Sequence, residues 1–244
     1  MRGYGQYCPL ALATEVLAER WTLLVLRELG LGARYFNDIH RGVPRMSPTL
    51  LTRRLRSLEN TGILERVPVG RRIEYRLTEG GRALMPAIES LAVWSKSWLP
   101  ATLSDERADP DLILWDMHRR MNTELLPAGR TVIRFVLVDQ PEVRRRRWLV
   151  CERASVDVCV NDPGFDHDLD VESDSRTLTW VWYGDVPLTD AIDDGRIALH
   201  GPAALCAAFP SWLQLNLLAA VPRNRASDAA AVPPSGDHHR ATPR

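Results

Sequence analysis

Apolar residues recur every three to four positions through residues 8–31, and this spacing predicts one long helix that ends at Gly30. The same pattern predicts a short helix at 36–42. A further helix is predicted at 79–98, with a kink at Pro86. The first hundred residues are therefore expected to be mainly helical.

The stretch SPTLLTRRLRSLENTG, residues 47–62, predicts an amphipathic helix over 48–60, with Ser47 as its N-cap and Pro48 in its first turn. At about 100° per residue, one face of this helix is apolar. That face carries Leu51, Leu55 and Leu58. The opposite face carries Thr49, Arg53, Arg56 and Asn60, with Thr52 beside it.

The run ILERVPVGRRIEYRLT, which follows this helix, has two β-rich halves around a turn predicted at Pro68–Gly70. In its second half Arg72, Glu74 and Arg76 alternate with apolar residues, so the hairpin is expected to have an arginine-bearing outer face. Helix, turn, helix and hairpin in this order are typical of a winged helix-turn-helix domain.

Beyond residue 99 the pattern changes to that of an α+β domain. We predict a polar linker at 100–110, a second domain at 111–222 and a disordered tail at 223–244. The second domain is expected to begin with a helix. Strands are predicted at 131–139, 147–153, 156–162, 168–174, 177–185 and 196–201, with a short helix at 188–195 and a helical segment interrupted by Pro210 at the end.

Charge divides the chain in the same place. Residues 1–100 contain 15 basic and 9 acidic residues, whereas residues 101–244 contain 16 and 22. The basic first half favours a polyanionic partner. No apolar run is long enough for a membrane span and the start of the chain is unlike a secretory signal, so we expect a cytoplasmic protein with no membrane partner.

An arginine- and threonine-bearing helix face by itself is typical of a solvated surface. The predicted wing changes this interpretation, because Arg and Thr on a helix that enters the major groove contact base edges, and arginines on a hairpin contact phosphates. The sequence thus favours DNA binding by both surfaces.

Short motifs follow one another in order through the first hundred residues: Cys8-Pro9, Arg20-Trp21-Thr22, Arg27-Glu28-Leu29, Phe36-Asn37-Asp38-Ile39, Ser47-Pro48, Leu51 to Leu55, Leu58-Glu59, Gly62 and Tyr75 to Thr78. In these motifs the first hundred residues resemble the HxlR-type family of bacterial winged-helix transcription regulators. This resemblance implies a homodimer on palindromic or near-palindromic double-stranded operator DNA, with Ser47–Asn60 as recognition helix. It also implies that the start of the chain and the 79–98 helix build the dimer. Trp94 and Trp98 are candidate anchors of that contact, and the alternative is that they pack against the linker or the second domain.

The expected DNA contacts combine this resemblance with the helical wheel. They are Ser47, Pro48, Thr49, Thr52, Arg53, Arg54, Arg56, Asn60, Arg71 and Arg72, with Arg54 reaching a phosphate past its packed stem. Several members of the family sense oxidants through a cysteine at the position of Cys8, so Cys8 is a candidate redox sensor. The alternative is a small residue at a helix start.

In the second half, Val181 to Asp185, Ala191 to Gly195 and the strand predicted after them carry a more diffuse similarity. In these segments the second half resembles the sterol-carrier-protein-like domain that some of these regulators carry. This resemblance implies a cavity for a small hydrophobic ligand, with candidate lining residues Trp148, Trp180, Trp182, Phe209 and Trp212. Each of these is alternatively a core residue.

The sequence contains no GxSxG elbow, phosphate-binding glycine loop or HExxH helix, and we expect neither an enzyme nor a cofactor. The acidic run at 162–174 lacks the spacing of a calcium loop, and no metal site is expected. Arg144–Arg147 is interpreted as a solvated strand start, with DNA contact as the alternative. The leading hypothesis is a ligand- or stress-responsive DNA-binding regulator. The alternative is a carrier of hydrophobic ligands whose winged helix serves to dimerise.

Overall fold

A computed structural model describes residues 3–99 and 108–224. Most of the expected linker, 100–107, and most of the expected tail, 225–244, lie outside the described residues. The chain divides into two compact units, Met1–Ala92 and Val93–Arg244. Among the described residues, no helix combines the length and apolarity that crossing a bilayer requires.

The first unit has the predicted helix-turn-helix and hairpin. Its elements are α1 (Pro9–Leu17), α2 (Thr22–Gly30), α3 (Phe36–Gly42), α4 (Pro48–Asn60), β1 (Leu64–Val69), β2 (Arg72–Leu77), α5 (Glu79–Ala83) and α6 (Met85–Trp98), the last of which continues into the second unit. Leu51, Leu55 and Leu58 are at most 1% exposed, so the predicted apolar face of α4 lies in the core of this unit.

The single helix predicted at 8–31 is wrong, because the chain breaks between α1 and α2. Trp21, just before α2, has φ +79°, a left-handed conformation that costs a residue with a side chain about 1 kcal/mol or more. The two helices also differ in burial: α1 has no buried residue, whereas α2 buries Val25, Leu26 and Leu29. The chain therefore forms two helices here, α1 without buried residues and α2 packed in the core.

Two smaller corrections concern prolines. The predicted 79–98 helix is divided at Leu84 into α5 and α6, and Pro86 lies in the first turn of α6, where its missing N–H costs nothing. Pro68 lies within β1 opposite Ile73, and the hairpin turns one step later at Gly70, whose φ of +58° suits glycine.

The second unit is a mixed sheet with helices. After the end of α6 its elements are α7 (Pro110–Met117), 3-10 turns at His118–Arg120 and Thr123–Leu125, β3 (Thr131–Leu137), α8 (Glu142–Arg145), β4 (Arg146–Glu152), β5 (Ser155–Cys159), β6 (Leu169–Ser173), α9 (Ser175–Trp182), α10 (Leu188–Asp193), β7 (Ile197–His200) and α11 (Ala203–Trp212). The strand order is β5-β4-β3-β6-β7, with β3 and β6 parallel and the other pairs antiparallel.

The strand predicted at 177–185 is wrong, since this segment forms helix α9. The Asp174 carboxylate caps the helix by accepting hydrogen bonds from the backbone N–H of Thr177 at 2.8 Å and from its hydroxyl at 2.7 Å. The β-branched and aromatic residues of the run favour a strand, but capping and burial of the whole segment favour a helix. Pro210, expected to interrupt the last helical segment, lies within α11.

Candidate nucleic-acid interface

The turn between α3 and α4 is held by the backbone and one side chain. His40 Nε2 lies 2.8 Å from the carbonyl oxygen of Met46, and the N–H of Met46 donates to the carbonyl of Val43. Val43 and Met46 are themselves at most 2% exposed. The start of α4 is therefore anchored to α3. The Ser47 hydroxyl completes this start by accepting from the N–H of Leu50, as predicted for the N-cap.

The outer face of α4 is polar and uncommitted. Its exposed side chains have no hydrogen-bond or ion-pair partner in the described part of the chain; they are Thr49, Arg53, Arg56 and Asn60. Pro48 is also exposed, and the half-buried Thr52 donates its hydroxyl to the carbonyl of Pro48 at 2.9 Å. A row of this kind presents hydrogen-bonding groups to whatever lies beside the helix.

Arg54 is placed differently from its neighbours. It is 8% exposed, and its guanidinium forms an ion pair with Glu19 from the segment between α1 and α2. Burial lowers the pKa of Arg54 from its ordinary value. The expectation that Arg54 reaches a phosphate is not supported by this geometry, because its charge is directed into the unit and compensated there.

Arg71 and Arg72 are exposed at the tip of the hairpin. The Arg72 guanidinium lies 5.3 Å from the centre of the Tyr35 ring. Arg71 has no partner among residues 3–99 and 108–224. Both charges are thus available at the end of the wing.

Glu74, which the sequence did not single out, neutralises part of the positive charge of the wing. Arg76 donates to its carboxylate at 2.6 and 2.8 Å, and the Tyr35 hydroxyl donates at 3.1 Å. The Arg76 hydrogen bond is the main reason why the pKa of Glu74 lies below its usual value, and Glu74 in turn raises the pKa of Tyr35. The alternation of Arg72, Glu74 and Arg76 along one strand face was the available signal.

Cys8 is exposed immediately before α1, and its side chain makes no capping hydrogen bond. The other cysteines, Cys151, Cys159 and Cys206, are also thiols rather than disulfides. Burial raises the pKa of Cys151 to about 12, which keeps that thiol protonated. Among the described residues no group of His, Cys, Asp and Glu is arranged to hold a metal ion.

The aromatic residues expected to line a ligand cavity are packed inside the second unit. Trp148, Trp180, Trp182, Phe209 and Trp212 are all at most 8% exposed. Trp182 donates its ring N–H to Asp116 at 2.7 Å, and Trp212 donates to the carbonyl of Leu125 at 3.1 Å. A cleft of about 520 Å³ does occur in this unit, but its lining includes none of the five.

Comparisons with known proteins cover the first part of the chain. Residues 16–103 match the family model described as HxlR-like helix-turn-helix. The uncharacterized HTH-type transcriptional regulator Rv3095 of Mycobacterium tuberculosis is 44% identical over 116 residues, covering 41% of this chain and 72% of the relative. The uncharacterized HTH-type transcriptional regulator YvaP of Bacillus subtilis is 33% identical over 107 residues, covering 41% of this chain and 97% of the relative.

Among solved structures, the reduced form of the transcriptional regulator YodB from Bacillus subtilis is 30% identical, with a TM-score of 0.34. That match covers 37% of this chain and 93% of the other.

Proposed function

The chain belongs to the HxlR-like helix-turn-helix family, and from this premise we propose that it is a homodimeric regulator that binds a palindromic operator. In this proposal α4 lies in the major groove and the wing contacts the flanking phosphates. The second unit binds a small hydrophobic ligand, in the manner of a sterol-carrier-like domain.

The observation that carries the proposal is the set of uncommitted side chains on α4 and the wing. Arg53 and Arg56 are exposed on one helix face, and neither has a carboxylate partner within residues 3–99 and 108–224. A guanidinium can donate two hydrogen bonds to guanine O6 and N7. The Asn60 amide can form paired hydrogen bonds with adenine, and the Thr49 hydroxyl can bond to a phosphate or a base edge. We therefore assign base contacts to Arg53, Arg56 and Asn60.

Phosphate contacts are assigned to the two ends of the site. Ser47, Pro48 and Thr52 lie in the first turns of α4, at the positive end of the helix dipole, which favours an anion. Arg71 and Arg72 extend from the wing tip. Such contacts set register and orientation on the duplex without reading its sequence.

Dimer formation is proposed for two apolar surfaces. Helix α1 has no buried residue although most of its residues are apolar, and Leu10 is 71% exposed. On α6, Leu91, Trp94 and Trp98 follow one helical face and are each more than half exposed. Burying surfaces of this kind on a two-fold axis places paired recognition helices about 34 Å apart, one turn of DNA.

We also propose that Cys8 reports oxidants, because its thiol is exposed next to the α1 surface assigned to the dimer. The measurement is operator binding before and after treatment with an oxidant, in the natural protein and in Cys8→Ser. Equal responses of the two proteins would remove Cys8 from the proposal.

The test of DNA binding is fluorescence anisotropy with the duplex upstream of the protein's own gene, competed by unrelated DNA of equal length. We expect sequence-specific binding by a dimer, with the mass of the complex measured by analytical ultracentrifugation. Binding that unrelated DNA displaces equally well would contradict the proposal and favour the ligand-carrier alternative, whereas binding of one monomer would contradict only the dimer.

A further inference from the structure

The second unit contains a cleft whose lining differs from the aromatic residues that the sequence suggested for a ligand cavity. It has a volume of about 520 Å³, within the range of small-molecule sites, and lies between α10, β7 and α11. Its lining residues are Thr189, Ile192, Asp193, Gly195, Ile197, Ala198, Leu199, Cys206, Ala207 and Pro210. The cleft is thus formed largely by aliphatic side chains.

The walls of the cleft are backed by the core of the unit. Ile197 is 1% exposed, and Ile192, Leu199 and Cys206 are partly buried against the same core cluster. These side chains form an apolar wall that is packed on its inner side by the core. Burying an aliphatic body against this wall is favourable because it removes apolar surface from water.

The charge at the cleft is negative. Asp193 lies in the lining, is exposed, and has no hydrogen-bond or ion-pair partner within the described residues. The nearby Arg196 is already bonded to Asp194, with N–O distances of 2.6 to 2.9 Å. The acidic excess of the second half, 22 acidic against 16 basic residues in 101–244, adds to this negative field.

The polar chemistry of the lining narrows the class of ligand. No aromatic ring from the described part of the chain lines the cleft, so a cation would be recognised by a carboxylate rather than by a π face. Strand β7 is at the edge of the sheet and leaves one row of its backbone groups unpaired by a neighbouring strand. Its carbonyl groups can accept hydrogen bonds from a primary ammonium.

We infer that the cleft between α10, β7 and α11 binds an amphipathic cation, an aliphatic body with a protonated amine. The body lies on Ile192, Leu199 and Pro210, and the amine lies at Asp193. This inference rests on the proposed function in one respect, because the proposed function assigns ligand binding to the second unit of a regulator.

The experiment compares three probes with the same ten-carbon chain: decylammonium, decanol and decanoate. Each is titrated below its aggregation concentration into the full-length protein, without DNA, in a calorimeter. We expect decylammonium to bind about tenfold more tightly than decanoate, with decanol between them. Equal affinity for decanoate would overturn the assignment of charge, and no binding of any probe would overturn the site.

Two variants locate the site. Asp193→Asn is expected to weaken decylammonium about fivefold and to leave decanol unchanged, since an ion pair at an exposed carboxylate is worth about 1 kcal/mol. Ala207→Trp is expected to block all three probes. The control is Ala204→Trp, which changes an exposed residue of the same helix outside the cleft. Loss of binding in both tryptophan variants, or in neither, would contradict the location.

A measurement on the natural protein avoids any effect of substitution on folding. Cys206 lines the cleft, and its alkylation by iodoacetamide is followed by mass spectrometry with and without decylammonium. We expect slower alkylation of Cys206 and an unchanged rate at Cys8. Unchanged alkylation of Cys206 would overturn the inference, while operator binding, measured separately, would stand.

Discussion

The arginines on the outer face of α4 and at the tip of the wing differ from most arginines of the second unit. Four exposed guanidinium groups in the first set have no carboxylate partner among the described residues; these are Arg53, Arg56, Arg71 and Arg72. Further along the wing, Arg76 is paired with Glu74. Most arginines of the second unit are paired, as in Arg134 with Asp170, Arg147 with Asp111 and Arg223 with Asp185. The difference follows the charge of the two halves, because only the acidic half has enough carboxylates to neutralise its cations.

The contrast recurs within α4. Arg53 and Arg54 are adjacent in sequence, but the 100° turn between them directs Arg53 to solvent and Arg54 to Glu19. Sequence position alone therefore does not assign an arginine to DNA. What matters is whether the protein itself supplies the opposing charge.

Lys96 is the clearest example of a cation whose partners lie within the protein, and it is the only lysine among the 31 basic residues of the sequence. It is 7% exposed, and its ammonium donates to the carbonyls of Tyr183, Leu218 (2.7 Å) and Ala219 (3.4 Å). Three donors on one compact group suit three converging carbonyls, whereas the planar guanidinium of arginine does not.

The largest expected effect is therefore on Lys96. Lys96→Met leaves buried carbonyl groups without a donor and should lower the free energy of unfolding by about 3 kcal/mol. Lys96→Arg should be destabilising too, although it keeps the charge. Urea unfolding followed by tryptophan fluorescence measures both. Stability equal to that of the natural protein in Lys96→Arg would show that charge, not shape, is what this site requires.

Arg53→Ala and Arg56→Ala should each weaken specific operator binding by about 1 to 3 kcal/mol, because each removes a bidentate base contact. Neither should change the free energy of unfolding, since both side chains are exposed and unpaired. Anisotropy titration with operator DNA measures the loss. The control is Arg153→Ala, an exposed arginine of the second unit. An equal loss in this control would indicate a non-specific effect of net charge.

The sequence predicted α4 correctly because its N-cap, its proline and its leucine spacing all favour one answer. It did not predict α9 as a helix, since Trp180, Val181 and Trp182 favour strands locally, whereas the Asp174 cap and the burial of the segment favour a helix. The cleft between α10, β7 and α11 was not predictable either. It depends on side chains from three elements that only the tertiary fold brings together.

Arg54→Met tests the internal side of the α4 contrast. The change leaves Glu19 without its partner and should lower the free energy of unfolding by about 1 to 2 kcal/mol, moderated because Glu19 is partly exposed to water. The double variant Glu19→Gln, Arg54→Met should recover part of this loss in a double-mutant cycle. Additive losses would indicate that the two side chains do not interact.

In the second unit, His118 makes the free energy of unfolding depend on pH. Its ring lies against that of Trp115, with centroids 4.3 Å apart and the ring planes tilted by 35°. Burial, with a smaller effect of Arg119, lowers the pKa of His118 from 6.5 to about 4. Because the folded pKa lies below the unfolded one, the full stability is present above pH 6.5 and is lost as the pH falls towards 4, by about 1 to 2 kcal/mol. Urea midpoints at pH 7 and pH 4.5 measure this loss, and His118→Gln should reduce it.

The smallest effect is expected at the wing, where Arg71→Ala and Arg72→Ala each remove one phosphate contact. Each change should weaken operator and unrelated DNA by similar factors and lower the slope of log affinity against log salt by about 1. Arg72→Ala should weaken DNA binding somewhat more than Arg71→Ala does. The reason is that the contact with the Tyr35 ring restricts the Arg72 side chain before DNA binds. A change in sequence preference with an unaltered salt slope would mean that the wing reads bases, and the division of roles between helix and wing would have to be reversed.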